Sequence, residues 1–290
     1  MVTLVVATTT DPASLGPASA LLAFPGWHSG PSFQGVRSFV NGDVIRLLQH
    51  DKSIVEEDDL DSRITFNFCL GVPHLQDGDV LPQGGKPGWA ALPSPRMVPW
   101  LILLKKLAES RNLVPEFEVT LEATHHGPVT NKPTMFVEIG STEEYWRRQD
   151  AAQVIAQLVW EGLGLGGGDA VGNWSSNSTG NKVLLGIGGG HYAPRHMDIV
   201  LKGGICVGHL LSGYSLPMED PSQSKADSNI IGGTWREAIK VAFEATKAAF
   251  PGGEILAHLD QKSFKSWQKN AIMGFLEEQN IKIGKPGDFF

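Results

Sequence analysis

Val183-Leu184-Leu185-Gly186-Ile187-Gly188-Gly189-Gly190-His191 is the stretch on which the fold turns. Its first half is a short run of large apolar residues, the length of a buried strand. Its second half is a glycine cluster, which marks a turn and lets backbone approach a ligand closely. The turn runs straight into a histidine. In a doubly wound α/β sheet, ligands bind beyond the carboxyl ends of the strands, so this corner carries functional weight. On either side of it, residues 4–7, 117–121, 135–139, 206–211 and 255–259 read as further buried strands, most of them bounded by Gly, Pro or His. Segments of helical period alternate with them. The clearest spans 142–164, where Thr142 can cap, Glu143 and Glu144 suit the first turn, and Trp146, Val154, Leu158 and Val159 supply an apolar stripe. A second helix is predicted over 234–250, stopping at Pro251-Gly252-Gly253, and a third over 263–279. This alternation implies an α/β fold with a mixed, mostly parallel sheet and helices on both faces.

The chain has 290 residues, 41% of them hydrophobic and 19% charged, enough apolar material for one large core. No long polar linker divides it, so one elaborated domain over 1–290 is the expectation. A net charge of −7 argues against a DNA-coating protein but leaves room for a local basic face. With only Cys69 and Cys206, a disulfide framework and a CxxC-type zinc site are excluded, and a reducing compartment is implied. The apolar N-terminus lacks a basic leader and reads as a buried strand, and no run reaches the ~20 apolar residues of a membrane span. The expected location is the cytosol, with the nucleus left open.

Six of the nine histidines lie at or near predicted strand ends: His125, His126, His191, His196, His209 and His258. Gathered there, histidines serve as bases, phosphate donors or metal ligands. If 118–124 is a strand, Glu118, Thr120, Glu122 and Thr124 share one face, which needs water or ligands. A solvent-facing strand satisfies that requirement as well as a site does. His191 and His196 flank Pro194 at a spacing unlike that of the helical HExxH metal motif, so any metal site must arise by convergence in space. There is no Gly-x-Ser-x-Gly elbow, Cys206 falls mid-strand, and the glycines at 84–88 lack the P-loop pattern, which sets aside a covalent nucleophile and ATP chemistry. Lys262, Lys265 and Lys269 fall on one face of the last predicted helix. Lys86, Arg96, Lys105 and Lys106 form a second basic group. Phosphate contact and a solvated helix face both account for them.

Five blocks together resemble the D-aminoacyl-tRNA deacylase family of archaea and plants, the plant branch most closely. They are Gln83-Gly84-Gly85-Lys86-Pro87-Gly88-Trp89-Ala90, Leu121-Glu122-Ala123-Thr124-His125-His126-Gly127-Pro128, Glu138-Ile139-Gly140-Ser141-Thr142-Glu143-Glu144-Tyr145-Trp146, the run from Gly186 to His196, and Ala257-His258-Leu259-Asp260. The resemblance implies hydrolysis of the ester of D-aminoacyl-tRNA, including D-amino acids bearing an aldehyde-derived adduct on the amine. It also implies zinc as cofactor and a core like that of peptidyl-tRNA hydrolase and purine phosphorylases. On this reading His125, His126, His191 and His196 form the polar wall of the site and supply metal ligands. Glu122 orients a histidine or ligates zinc, and Thr124 donates to the ester carbonyl. Gly188, Gly189 and Gly190 offer N–H groups to the terminal phosphate or ribose, and Lys86 with Lys262, Lys265 and Lys269 binds the tRNA. One departure stands out. Family members carry Ser-Arg-His and Leu-Thr-Val-His elements after the acidic stretch Asp58-Asp59-Leu60-Asp61, whereas here Arg63-Ile64-Thr65-Phe66-Asn67-Phe68-Cys69 passes directly to Leu70. The rival readings are a phosphorylase or zinc amidohydrolase on the same architecture, and a non-catalytic RNA-binding protein.

Overall fold

The computed structural model describes residues 3–32, 35–42, 45–51, 88–125, 127–140, 142–175, 178, 180–223 and 231–290. They fall into two compact units, one drawn from 1–72, 96–119 and 127–173, the other from 73–95, 120–126 and 174–290. Among the described residues no helix is long and apolar enough to cross a membrane.

The first unit carries a four-stranded sheet of order β1-β4-β3-β2, built from β1 (Thr3–Thr8), β2 (Trp27–Ser29), β3 (Arg37–Asn41) and β4 (Ile45–His50). β1 runs parallel to β4, and the β4/β3 and β3/β2 pairs are antiparallel. After β1, Asp11 accepts the Ala13 N–H at 2.9 Å and Pro12 fixes the first turn of α1 (Pro12–Leu22), a helix that sequence periodicity does not announce. Helix α2 (Met97–Ser110) comes next. Where one helix was expected over 142–164, the chain forms α3 (Glu143–Trp146) and α4 (Gln149–Gly162). The break is at Arg148, whose backbone is extended and whose guanidinium holds both Asp150 oxygens, at 3.0 and 2.7 Å. Helix α4 buries Ala151, Ala152, Val154, Ile155, Leu158 and Val159, and the core of this unit forms around them.

The predicted strands at 117–121 and 135–139 do not form ladders. Phe117, Val119, Met135, Val137 and Ile139 are nonetheless packed into the first unit's core. Their apolarity reflects burial rather than strand pairing, two causes that a short apolar run does not separate.

The second unit holds a wholly parallel sheet of order β6-β5-β7, made of β5 (Lys182–Ile187), β6 (Cys206–Leu211) and β7 (Glu254–Leu259). These three strands match the sequence reading to within a residue. Between them lie α5 (Pro194–Val200) and α6 (Trp235–Ala249), and α7 (Ser266–Glu278) comes after β7. Leu185 and Ile187 of β5 pack with Trp235 and Ile239 of α6 and with Ile272 and Leu276 of α7. The opposite face of β5 turns Gly186 toward α5, where a Cβ would stand 2.9 Å from a ring carbon of His196. Helices on both faces of a parallel sheet are therefore present, as expected. The pairing of β5 with β6 slips between Leu184 and Gly186, whose partners are Val207 and Leu210. The extra residue makes a bulge at Gly208 and His209, the kind of irregularity that re-aims side chains at a strand end.

Candidate active site

Three strands of the second unit end side by side, and the turns beyond those ends build the site. After β5, the Gly188 N–H donates to the Leu211 carbonyl (2.7 Å) and the Gly189 N–H donates to Ser263 Oγ (2.6 Å). Both glycines have positive φ, 94° and 88°, and a Cβ at Gly188 would lie 2.7 Å from the Phe264 ring. Only glycine fits that turn. It delivers His191 outside the sheet edge, and Ala193 and Pro194 then start α5. After β6 comes a 3-10 turn, Gly213–Ser215, and after β7 comes Asp260.

Residues 120–125 are tied to this corner by single bonds to separate partners. The Leu121 N–H meets Met197 Sδ, the Ala123 N–H donates to the His191 carbonyl (2.7 Å), and the Thr124 N–H donates to the Leu210 carbonyl (2.7 Å). No strand forms, so the alternation expected for Glu118, Thr120, Glu122 and Thr124 fails. Glu118 is exposed, Glu122 half-buried and Thr124 buried.

The result is one cluster. Glu122, His125 and His191 bring their ligand atoms within 4.8 Å of one another. Glu122 lies 3.4 Å from His191 Nε2 and 3.9 Å from His125 Nε2. The His125 Nδ1–H donates to the Ala123 carbonyl (2.6 Å), which fixes the tautomer with its Nε2 lone pair toward the carboxylate. His191 Nδ1 is bonded to the Tyr214 hydroxyl at 3.2 Å, and the two imidazoles meet edge to face at 4.5 Å. A tetrahedral zinc with ligand bonds near 2.0–2.1 Å separates neighbouring donor atoms by roughly 3.3 Å. The present spacing, two imidazole nitrogens and a carboxylate with their outer nitrogens held by other groups, fits such an ion.

The other residues singled out from sequence are placed elsewhere. His196 is not part of the cluster: it is fully buried in α5, its Nε2–H donating to the Gly188 carbonyl (3.2 Å) and its Nδ1 meeting His258 Nδ1 (3.0 Å). Burial first, and the neighbouring His258 second, push its pKa down to about 4. Since Nε2 must carry the proton, His258 is the donor in that pair. His209 is likewise fully buried, donating from Nε2 to the Ala91 carbonyl (3.1 Å) and accepting from the Thr124 hydroxyl (3.2 Å). Desolvation takes its pKa down to about 4. The Thr124 hydroxyl is thus turned into the core, where it also accepts the Leu210 N–H.

Lys262 lies in the 3-10 turn Gln261–Ser263, Lys265 precedes α7 and Lys269 is inside it, so the three do not share the helical face that their spacing suggested. His126, Lys86 and the junction before Leu70 lie outside the described residues. Sequence reasoning did not single out Tyr214, Arg195 or Ser263. Arg195 pairs with Asp260 at 3.0 Å, and Asp260 accepts the Ser263 hydroxyl at 3.1 Å, bracing the glycine turn through Ser263.

A parallel α/β sheet with a carboxylate and two imidazoles gathered beyond its strand ends defines a class of metal-capable α/β proteins in which hydrolases are common. Comparison with known proteins narrows the class. A family model described as D-aminoacyl-tRNA deacylase matches residues 75–284. The D-aminoacyl-tRNA deacylase of Arabidopsis thaliana is 64% identical, with 100% of both chains covered. The enzyme of the same name from Aeropyrum pernix is 33% identical over 69% of this chain and 63% of its own length. The crystal structure of a conserved protein of unknown function, 24% identical, superposes with a TM-score of 0.73, covering 99% of this chain and 96% of the other. This chain belongs to the D-aminoacyl-tRNA deacylase family. The alignment with the Arabidopsis protein spans 318 positions against 290 residues here, so that relative holds residues without a counterpart in this chain.

Proposed function

We propose that this chain hydrolyses the ester bond of D-aminoacyl-tRNA, including aldehyde-modified forms, releasing the D-amino acid and tRNA. The observation that carries the proposal is the convergence of Glu122, His125 and His191 beside the strand ends of a chain in this family. An aminoacyl ester is already reactive, so water attack without a covalent enzyme intermediate is sufficient, given positioning and charge stabilisation. Glu122 and the Nε2 atoms of His125 and His191 would hold a divalent metal, zinc by donor set, which when bound supplies a hydroxide-like nucleophile at neutral pH. The chain's own groups do the rest. The Ala123 carbonyl and Tyr214 hydroxyl keep the two imidazoles oriented, and Glu122 holds its carboxylate between them. His196 acts as a positioning residue, holding the Gly188 carbonyl so that the turn carrying His191 keeps its shape. His126 remains a further candidate ligand. Chirality is selected by excluding the L side chain sterically.

The tRNA acceptor end is assigned to Lys86, Lys262, Lys265, Lys269 and the Gly190 amide, whose N–H meets no protein acceptor among the described residues. Gly188 and Gly189 shape the turn instead, their N–H groups being already bonded. The two units each draw on several separate stretches of the chain, which favours a single folding domain over 1–290. A tRNA substrate favours the cytosol as the location, with the nucleus left open.

Release of D-tyrosine from D-tyrosyl-tRNA, measured beside L-tyrosyl-tRNA and D-tyrosine ethyl ester, tests the function. Preference for the D-aminoacyl-tRNA over both is expected; equal rates on the two enantiomers would refute it. Replacing Lys262, Lys265 and Lys269 together with Ala is expected to weaken tRNA binding and flatten its dependence on salt, since each phosphate contact releases counterions. A binding slope that does not change would return these lysines to a solvated surface.

A further inference from the structure

We propose that Tyr192 and Tyr214 form a stacking site for the terminal adenine of the tRNA, an inference that rests on the deacylase reading of the Glu122, His125 and His191 site. The chain has only three tyrosines, and two of them touch the same histidine. Tyr214 donates or accepts at His191 Nδ1 across 3.2 Å, and the Tyr192 ring stands edge-on to the His191 ring, 4.9 Å between centroids at 79°. Both side chains are nevertheless open, 62% exposed for Tyr214 and 44% for Tyr192.

Open aromatic rings are common on surfaces, but these are held. Tyr214 sits at the centre of the 3-10 turn Gly213–Ser215, whose capping residue Ser212 accepts the Ser215 N–H on its hydroxyl at 3.3 Å. Its hydroxyl is anchored on His191. The Tyr192 carbonyl shares the Thr120 hydroxyl proton, at 3.4 Å, with the Leu121 carbonyl at 3.2 Å, and the Tyr192 ring rests on the imidazole. The entropy of immobilising each ring is therefore lost on folding rather than on binding, which favours capture of a flat partner.

The chemistry of the substrate says which flat partner. The aminoacyl ester is carried by the ribose of the last nucleotide, and that ribose also carries adenine. An ester carbonyl seated against Glu122 and His191 leaves the base one sugar away, at the rim these rings occupy. Aromatic faces suit it, because stacking requires only a π-face and contributes ~1–3 kcal/mol per base. Amino-acid identity then plays no part in this contact, as suits a site that must accept D-amino acids of different kinds.

The test uses the full chain and two probes, adenosine 5′-monophosphate and ribose 5-phosphate, titrated by NMR. Wild type is expected to bind the nucleotide more tightly than the sugar phosphate. Y214L and Y192L should each weaken nucleotide binding by roughly fivefold or more, while Y214F, which keeps the ring and loses only the anchor of its hydroxyl, should weaken it less. Ribose 5-phosphate binding should be the same in all four proteins. No measurable nucleotide binding, equal binding of both probes by wild type, or unaltered nucleotide affinity in Y214L and Y192L would each overturn the proposal. Failure of wild type to deacylate D-tyrosyl-tRNA would instead count against the proposed function, since nucleotide binding is read independently of turnover.

Discussion

E122Q is expected to deacylate D-tyrosyl-tRNA about 10²–10⁴ times more slowly than wild type, with little change in tRNA affinity. Glu122 is the member common to both short contacts in the cluster, 3.4 Å to His191 and 3.9 Å to His125. Gln is nearly isosteric but uncharged, so it cannot match a carboxylate as a metal ligand. Because Glu122 is half-exposed, the substitution leaves no buried charge behind and the fold should survive. H191A should fall into the same range, and combining the two should cost far less than the product of the single effects, because the residues act as one unit. Near-wild-type turnover in E122Q would show that positioning of the tRNA alone supplies the acceleration.

Acid should destabilise the protein well before its carboxylates titrate. His196 and His209 are neutral in the fold with pKa values of about 4, against about 6.5 for an unperturbed histidine. Their folded values are depressed, so the unfolded chain binds protons first. The stability these neutral rings contribute is complete above about pH 6.5 and is lost as pH falls toward 4. His258 shifts in the same direction, chiefly through its own burial. At pH 5 the two fully buried rings together should cost on the order of 4 kcal/mol, a large share of a typical 5–15 kcal/mol. A fall in Tm of roughly 10 °C between pH 7 and pH 5 is expected. H209N should be less stable at neutral pH yet show a shallower acid slope. A melting temperature that stays flat across that interval would contradict neutral burial of these rings.

The pair His191 and His196 shows how far a sequence can be read here. His191 and His196 stand five residues apart in one motif, and nothing in their spacing distinguishes them. The fold does, because the left-handed Ala193 and Pro194 start a helix between them, leaving His191 at the rim and carrying His196 beneath Gly186. Thr124 and Glu122 differ for a related reason. The segment that bears them makes isolated bonds to the 191 and 210 carbonyls, so strand alternation does not govern which side chain points in. The strands β5, β6 and β7 were legible because each is a short apolar run ended by glycine, serine or aspartate. Helix α6 was legible from its period and its Pro-Gly-Gly stop. The helical spacing of Lys262 misleads because Asp260 accepts its N–H at 3.2 Å and winds 261–263 into a 3-10 turn before α7 begins. Tyr214 left no mark in the sequence at all, since an isolated tyrosine after a strand gains meaning only when a histidine from another strand end arrives beside it.

Hydrolysis is assigned above all to Glu122, His125 and His191. The deciding measurement is the rate of D-tyrosine release from D-tyrosyl-tRNA by protein stripped of metal, and again after one equivalent of zinc is returned, with E122Q treated identically. Turnover should be lost on stripping, return in wild type with stoichiometric zinc, and stay absent in E122Q, which should also hold zinc more weakly. Full turnover by wild type shown metal-free by elemental analysis, with E122Q equally active, would contradict that assignment.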